Sequence, residues 1–430
     1  MKKKNRLFFL TGITFWLLAA SFLQADVKVA DVSVKPRYPW NGLVDITYSI
    51  QCGETDKGET IDIYVDFKGY DTVLEKEFPI ISLTGYGAMA PVKTGGPYTV
   101  TWNAAKDYPT LNSSSFQIRI HATKGMYMVI DLSEGPNAKY YPMHYVSNPP
   151  DLNDDTCRTT QLWLRHINAG KFIMGSPSDE FGHNNNDMAC HEVTITRNFY
   201  IGVFECTQRQ WELVMGAGTN PSMYKSDDGC RPVELITYNS IRGQSIENVR
   251  GWPQYGHTVD ALSFMGKLQA KTSLTFDLPT EAQWEYACRA GTTTALNSGK
   301  DWTEEAMKEV QRCRLNQSDG KGGYSSAHTK VGSYPPNAWG LYDMHGNVWE
   351  FCLDRWGAST LSTLPEIDPV GPMDGGEVVG RGGSWASYAG YGNDRWACFS
   401  RSASRINGNP GSKGVDGDNG FRIVCHLDNP

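Results

Sequence analysis

Apolar and polar residues alternate with period two between residue 26 and about residue 147, and Gly, Pro, Asn and Asp separate the runs. Such alternation places every second side chain on one face of a strand. Many short strands with frequent turns predict an all-β, immunoglobulin-like sandwich over residues 26–147. We expect it to be a spacer or docking module, because it carries no residue pattern of a catalytic site. The clearest runs are Val44, Ile46, Tyr48 and Ile50; Tyr98, Val100 and Trp102; and Phe116, Ile118 and Ile120.

The pattern changes after a proline-rich stretch, and residues 148–156 are predicted to link two domains. In residues 157–430, short apolar runs mix with helix-start signals and many loops, which predicts an α+β domain. Residues Leu162–Leu164 and Lys171–Ser176 are expected to pair as strands. Two further strands are expected at His191–Ile195 and Phe199–Gly202.

Helix-start signals stand at two places in this second domain. Thr207–Gln210 and Thr280–Gln283 are capping boxes, in which the Thr and Gln side chains satisfy backbone N–H groups of the first turn. Gly291 is placed to end the second helix. A third helix is predicted from Asp260 to Lys271.

The first 25 residues have the composition of a secretory signal peptide. Four basic residues precede the apolar run Leu7–Ala20, and Leu23–Ala25 offers a cleavage site before Asp26. The run is shorter than the ~20 residues that span a bilayer, which favours a cleaved signal over an uncleaved anchor. We therefore expect an exported protein, periplasmic, cell-surface or secreted, with no transmembrane helix in the mature chain.

Charge and cysteine content narrow the class of protein. The formal net charge of −7 becomes −11 without the four basic residues of the signal, which argues against nucleic acid as a partner. All ten cysteines lie after residue 25, in the part expected to reach a compartment where disulfides persist. No Cys-x-x-Cys pair is present, which argues against a zinc ribbon or a thioredoxin-like site.

A series of motifs runs through the second domain: Phe172–Ser176, Arg231–Val233, Leu278–Ala287, Val331–Asn337, Gly340–Glu350, Arg381–Trp385 and Asn419–Arg422. In this order they resemble the formylglycine-generating enzyme, or sulfatase-modifying factor, family. The resemblance extends from about Phe172 to Cys425. It implies that the second domain has the family's variant of the C-type-lectin fold.

The resemblance implies a calcium site in the Asp-x-x-Gly-x-x-x-Glu run of the fifth motif. Its ligands would be the carboxylates of Asp343 and Glu350 and the backbone carbonyls of Gly346 and Val348. Calcium takes six to eight oxygen ligands, and a tight glycine-containing loop with two carboxylates offers several of them. The alternative is that Asp343 caps a turn and Glu350 pairs with an arginine.

A second calcium site of the family would begin at Asn316. Gly322 stands where its aspartate belongs, and Asp319 would have to replace it through a shift of the loop. We therefore expect one calcium ion.

The same resemblance indicates where copper ligands would be expected. Family members with oxidase activity carry two copper-binding cysteines after the Gly-Gly-Ser turn, and these positions read Ser387 and Gly392 here. Cu(I) prefers thiolate sulfur to oxygen and nitrogen, so copper is not expected. Ser384 and Arg401 match positions near the family's substrate groove. A binding role for them stands beside the alternative of a turn residue and a salt-bridged arginine.

The resemblance also implies a disulfide between Cys288 and Cys398. Cys157 and Cys425 are a further candidate pair, because the terminal strands of a domain often lie side by side. Cys52, Cys190, Cys206, Cys230, Cys313 and Cys352 have no assigned partner.

One loop offers a different metal site. His183 and His191 flank Asp187 in an asparagine-rich segment. A solvated loop with two unremarkable histidines is the alternative there.

Two main functions fit these observations. The first is an exported, calcium-stabilised module that binds a peptide, protein or glycan in its groove without copper oxidase chemistry. The alternative is a formylglycine-generating oxidase that converts a sulfatase cysteine to formylglycine. A metal-dependent oxidase of another kind, using the same groove, is a third and weaker reading.

Overall fold

The computed structural model describes residues 27–39, 41–52, 63–80, 82–84, 92, 94–109, 116–124, 126–243, 258–313, 316, 327–357, 363–371, 376–387, 399–409 and 417–426. The chain divides into two compact units, Met1–Met126 with His144–Ser147, and Tyr127–Met143 with Asn148–Asp428. The expected signal peptide lies outside the described residues. In the part that is described, no helix is long and apolar enough to cross a membrane.

As far as the structure describes it, the first unit is all-β apart from one helical turn. In its described residues, an antiparallel sheet of order β1-β2-β6-β5 and another of order β4-β3-β7 share one apolar core. The elements are β1 Val27–Pro36, β2 Leu43–Cys52, β3 Ile63–Asp71, β4 Lys76–Pro79, β5 Leu83–Thr84, β6 Gly95–Asn103, α1 Ala104–Asp107 and β7 Phe116–Lys124.

The period-two pattern of this unit is confirmed on β2. Val44, Ile46, Tyr48 and Ile50 are all buried, and the residues between them are half-buried. The Tyr48 ring meets Phe67 of β3 edge-on, with 5.6 Å between the ring centroids. An all-β first domain is therefore what the alternation predicted, and an immunoglobulin-like strand arrangement stays a prediction.

The second unit mixes three sheets with short helices. The described strands form sheets of order β14-β20-β13-β10-β8, β11-β12-β16 and β18-β17-β15-β19. The residues of β9 are divided between the two units. The elements are β8 Tyr127–Asp131, β9 Met143–Val146, β10 Gln161–Ile167, β11 Gly170–Met174, β12 His191–Ile195, β13 Phe199–Gly202, α2 Gln208–Met215, α3 Tyr238–Arg242, α4 Phe264–Thr272, β14 Thr275–Asp277, α5 Glu281–Arg289, α6 Glu304–Val310, β15 Trp349–Arg355, β16 Glu366–Ile367, β17 Val378–Arg381, β18 Arg405–Gly408, β19 Asn419–Gly420 and β20 Val424–His426, with 3₁₀ turns at Gly135–Asn137, Asp155–Arg158 and Asp227–Gly229.

The first unit reaches the predicted residue 147 through His144–Ser147, but the chain enters the second unit before that, at Tyr127–Met143. Strand β8, Tyr127–Asp131, pairs antiparallel with β10, Gln161–Ile167, so it belongs to the second unit. Tyr127 and the three apolar residues after it are all buried, which is typical of a strand covered on both faces. Such a strand does not alternate, and its sequence therefore gave no sign of which domain it joins. Part of the predicted 148–156 linker is also ordered, since Asp154 caps the 3₁₀ turn that follows it.

Both predicted capping boxes are confirmed. The Thr207 and Thr280 hydroxyls accept from the N–H groups of Gln210 and Gln283, whose side chains return the bond. Helix α5 ends at Arg289, with Ala290 as its C-cap and the predicted stop residue Gly291 directly after it, at a φ of 93°.

Two other predictions about elements need correction. Helix α4 begins at Phe264 rather than Asp260, because the Ser263 hydroxyl caps it. The predicted pairing of Leu162–Leu164 with Lys171–Ser176 is wrong, since β10 pairs with β8 and β13 whereas β11 pairs with β12.

Candidate functional site

The Asp-x-x-Gly-x-x-x-Glu run forms a tight loop that leads into β15. Asp343, Gly346 and Asn347 all have positive φ, at 55°, 75° and 60°. A Cβ on Gly346 would lie 2.3 Å from the carbonyl oxygen of Arg312, so only glycine fits there. The loop is fixed by backbone bonds from Gly346 N–H to Gly382 (2.8 Å) and from Asn347 N–H to Arg312 (3.0 Å).

Glu350, at the end of this loop, is paired with Arg422. The Arg422 guanidinium donates from Nε to Oε2 and from Nη2 to Oε1, at 2.5 Å each, and the Trp284 indole donates to Oε2 at 2.7 Å. Neither charged side chain is exposed. The remaining guanidinium bonds reach the carbonyls of Gly202 and Tyr342, at 3.0 Å each. This one ion pair therefore joins the loop to β13 and to the segment before β20.

Two more carboxyls lie beside this pair. Asp343 accepts from the Gly332 N–H at 2.6 Å through Oδ2, while its buried Oδ1 has no hydrogen-bond partner. Burial raises the pKa of Asp343 to about 6. Glu205 accepts from Asn347 Nδ2 (2.6 Å) and from the Val348 N–H (3.0 Å). Burial, and then the charges of Asp343 and Glu350, raise the pKa of Glu205 well above its ordinary value.

The fit of calcium to this loop is uneven. Asp343, Gly346, Val348 and Glu350 lie in one short segment, and the carboxylate oxygen Oδ1 of Asp343 has no hydrogen-bond partner. Both oxygens of Glu350, however, already face the guanidinium of Arg422, which supplies the positive charge that a bound ion would supply. Within the described ranges, no three His, Cys, Asp or Glu side chains are grouped so as to hold a metal ion.

The implied second calcium position is described only at its first residue. Asn316 Oδ1 accepts from the Cys313 N–H at 3.0 Å, and its amide nitrogen donates to the Gln311 carbonyl at 2.7 Å. Asp319 and Gly322 lie outside the described residues.

The Arg-Gly-Gly-Ser-Trp segment ends in a closed turn. Ser387 Oγ accepts from the Ser384 N–H and the Ser387 N–H donates to the Ser384 carbonyl, both at 3.0 Å. The Ser384 hydroxyl in turn donates to Asp418 at 3.3 Å. Both serines are buried, so in this arrangement their hydroxyls hold the turn. Gly392, the other copper position, lies outside the described residues.

Arg401, the second groove candidate, is fully buried. Its guanidinium donates to Asp187 at 2.6 Å and to the Gly182 carbonyl at 2.8 Å, and it also pairs with Glu180. These contacts match the salt-bridge alternative, and they leave no exposed part of the guanidinium for a ligand.

The same contacts decide how the asparagine-rich loop is arranged. His183 Nδ1 lies 2.7 Å from the Ser176 hydroxyl and 3.7 Å from Asp187, which already binds Arg401. His191 Nδ1 lies 2.9 Å from the carbonyl of Ala189 instead. The two histidines and Asp187 therefore do not converge on one point.

The cysteine predictions have different outcomes. Cys157 and Cys425 are both buried free thiols, so the suggested bridge between them is wrong. Cys425 sits in β20 between β14 and β13, whereas Cys157 lies in a 3₁₀ turn with its Sγ 3.1 Å from the Asp154 carbonyl. Cys288 is a buried thiol 3.8 Å from the Ser402 hydroxyl, and burial raises its pKa to about 12. Cys398 lies outside the described residues, so the Cys288–Cys398 disulfide stays a prediction.

A second buried charge network was not predicted. Glu285 on α5 accepts from Arg289 at 2.8 Å and from the Gly175 N–H at 2.9 Å, and it pairs with Arg381. Burial alone would raise the pKa of Glu285, but Arg289 and Arg381 hold it below its ordinary value. The network thus ties α5 to β17 and to the end of β11.

One turn earlier on α5, Glu281 extends this network. It receives a two-bond contact from Arg405, at 2.5 and 2.8 Å. Every residue from Glu281 to Arg289 is buried in the structure, and the capping box at the start of this helix gave no sign of that burial.

Comparison with known proteins decides the family. The family model described as the sulfatase-modifying factor enzyme 1-like domain matches residues 152–427. The chain belongs to the sulfatase-modifying factor family. The mixed sheets and few helices of this sulfatase-modifying factor domain are consistent with the C-type-lectin-like fold that the motifs implied.

Several named relatives resemble this sulfatase-modifying factor chain. The formylglycine-generating enzyme of Thermomonospora curvata is 38% identical over 126 residues, which cover 27% of the chain and 40% of that protein. Serine/threonine-protein kinase pkn1 of Chlamydia pneumoniae is 30% identical over 269 residues, or 61% of the chain and 37% of that protein. The kinase-named matches are themselves to domains of this family. The chaperone protein LppX of Paenibacillus barcinonensis is 30% identical over 213 residues, or 44% of the chain and 70% of that protein. The chain thus spans about two fifths of the length of the first two relatives.

Proposed function

We propose that this chain is an exported binding protein that uses the loops of its sulfatase-modifying factor domain to hold a peptide, protein or glycan, without copper oxidase chemistry. The observation that carries the proposal is the state of Ser387. Where oxidase members of the family have a cysteine, this residue has a hydroxyl that is engaged with the backbone of Ser384. A hydroxyl does not replace the thiolate that Cu(I) requires.

The class of ligand is supported by the scaffold and by one relative. Surface loops on a rigid scaffold can carry different binding residues without a change to the core. The buried pairs Glu350–Arg422 and Arg401–Asp187 supply such a frame here. One relative is named a chaperone, a class of protein that binds other polypeptides, which favours a polypeptide among the three ligand classes.

The alternative is a formylglycine-generating oxidase acting on a sulfatase cysteine. It is supported by the 38% identity to a relative of that name. It would require copper ligands other than residues 387 and 392. Four of the described thiols do not favour such ligands, because Cys206, Cys288, Cys352 and Cys425 are all buried and burial raises the pKa of each. Cys190 is the exposed thiol among the described cysteines.

The deciding experiment loads the purified chain with Cu(I) and supplies a Cys-x-Pro-x-Arg peptide under oxygen, followed by mass spectrometry of the peptide. We expect no aldehyde product, while an active family member run in parallel converts the peptide. Conversion by this chain would overturn the proposal and establish the oxidase with other ligands. Ser387→Cys is a useful companion variant, because copper retention on that variant alone would show that the missing thiolate is what separates the two functions.

Calcium is a further part of the proposal. Asp343 Oδ1 is a carboxylate oxygen of the loop that has no hydrogen-bond partner and could bind calcium. An ion held there would stabilise the native state alone. Its test is combined below with that of the Glu350–Arg422 pair.

A further inference from the structure

A cavity of about 420 Å³ opens on the second unit, away from the loop and the turn described above. This volume lies within the range of small-ligand pockets, roughly 300–1,000 Å³. Its walls are mainly apolar and include Met174, Met188, Ile367 and Val370. Ile367 is 71% exposed, so the apolar wall continues to the mouth.

The polar groups of this cavity are three carboxyls and one guanidinium. They belong to Glu281, Asp354, Glu366 and Arg405. The Arg405 guanidinium is fully engaged, because it makes two bonds to Glu281, donates to the Asn186 carbonyl at 3.2 Å and lies over the Trp356 ring. It therefore offers little positive charge to a ligand.

The charged groups behind the cavity do not reverse its excess of carboxyls over guanidiniums. Arg289, Arg381 and Arg405 face Glu281, Glu285 and Asp354, one carboxyl for each guanidinium. Glu366 at the edge is a fourth carboxyl without an arginine in this set. The lining groups and the groups behind them together count four carboxyls and three guanidiniums.

A second observation concerns His191, which lies behind the lining residue Glu366. His191 is buried, and its Nδ1 lies 2.9 Å from the Ala189 carbonyl, which accepts only if Nδ1 carries the proton. In the neutral ring, Nε2 is then an acceptor. It has no hydrogen-bond partner and points at Glu366 Oε2, 3.7 Å away. With a neutral ring, Nε2 does not donate to Glu366, which leaves that carboxylate open to a donor from the cavity.

We propose that this cavity binds an organic cation on an aliphatic stem, of the kind that a lysine side chain presents. The stem packs against the methionines and Ile367, and the ammonium group donates to Glu366, whose carboxylate also faces the buried Nε2 of His191. Asp354 faces the same space with its Oδ2 bound to the Glu281 N–H at 2.7 Å. This site does not depend on the proposed function, since an oxidase and a binding protein could each carry it.

The state of Asp354 agrees with a missing cation. Burial, and then the charge of Glu281, raise the pKa of Asp354 to about 8. A carboxyl with this pKa keeps its proton near neutral pH, and a bound ammonium would favour its ionised form.

The test is a titration of the full purified chain, followed by NMR, with N-acetyl-lysine methylamide as the probe. N-acetyl-norleucine methylamide has the same stem without the ammonium, and we expect it to bind at least fivefold more weakly. Glu366→Gln should weaken the lysine probe by about fivefold, the effect of a part-exposed charge pair. The matched control is Glu192→Gln, an exposed carboxylate on β12 of the same sheet that does not line the cavity, and it should leave affinity unchanged.

Three outcomes would overturn the proposal. They are no binding of the lysine probe up to roughly 50 mM, far above a 1 mM Kd that corresponds to only about −4 kcal/mol; equal binding of the norleucine probe; and equal weakening by Glu192→Gln. Cadaverine in a separate arm distinguishes the source of the cation. Tighter binding of the lysine probe than of cadaverine supports a polypeptide side chain, and the reverse supports a free amine. Because no copper is present in these titrations, their result is separate from the oxidase test.

Discussion

The ion pair between Glu350 and Arg422 allows a sharp test of what holds the loop. Glu350→Gln keeps the shape of the side chain and removes its charge. The variant leaves the Arg422 guanidinium buried without a counter-charge, and the Trp284 indole faces an amide in place of a carboxylate.

The expected loss of stability follows from the burial of both side chains. Neither side chain is exposed, so water cannot replace the lost charge. Removal of one partner of a buried pair costs about 3–5 kcal/mol. At about 2–4 °C per kcal/mol for a domain of this order of size, the melting temperature should fall by roughly 6–20 °C.

The assay is thermal and urea unfolding of the wild type and the variant, each in EDTA and in excess calcium. Glu377→Gln is the matched control, since its carboxylate is exposed and bound to Asn407. That control should stay within about 0.5 kcal/mol of the wild type.

The two explanations of Glu350 give different results in this assay. If Glu350 stabilises the protein through Arg422, the variant loses about 3–5 kcal/mol of its free energy of unfolding in EDTA. A loss below about 1 kcal/mol in EDTA would refute the ion-pair reasoning. A gain from calcium in the wild type that the variant lacks would support the proposed ion at this loop, whereas an equal gain in both would remove Glu350 from its ligands.

Two further predictions concern a buried acid and a glycine. Because the pKa of Asp354 rises from 3.8 to about 8 on folding, its contribution to stability is complete below about pH 4 and is lost as the pH rises through 8. Asp354→Asn, which still accepts from the Glu281 N–H, should therefore lose less stability than the wild type between about pH 4 and 8, and parallel curves of urea midpoint against pH would contradict this. Gly346→Ala should destabilise the protein more than Gly299→Ala, because both glycines have φ near +75° but only at Gly346 does a Cβ meet a carbonyl oxygen. The penalty at Gly299 should stay near the 1–2 kcal/mol of left-handed backbone, and equal losses at the two positions would show that the contact with Arg312 is relieved by a shift of the loop.

Local signals predicted the local structure of this chain well. The alternation on β2 and the capping boxes at Thr207 and Thr280 each depend on a few neighbouring residues, and each has the expected form. The series of motifs predicted the family for the same reason, since each motif is short and contiguous.

Partners that are distant in sequence could not be predicted in this way. Glu350 and Arg422 are 72 residues apart, and Arg401 and Asp187 are 214 apart. An arginine forms the same kind of contact with any carboxylate that the fold brings to it, so nothing in the sequence selects one partner. Strand order failed for a similar reason, because β10 and β11 are adjacent in sequence and lie in different sheets.

The burial of α5 has a consequence for how cooperatively the second unit folds. None of its nine residues faces solvent, and Glu281 and Glu285 enter the interior as charges. Their counter-charges on Arg381 and Arg405 come from strands about a hundred residues later in the chain. A partly folded state in which α5 is docked before those strands arrive would contain uncompensated charges and would be high in free energy. The helix and the late strands are thus expected to form and unfold together, so that this unit behaves as one cooperative block.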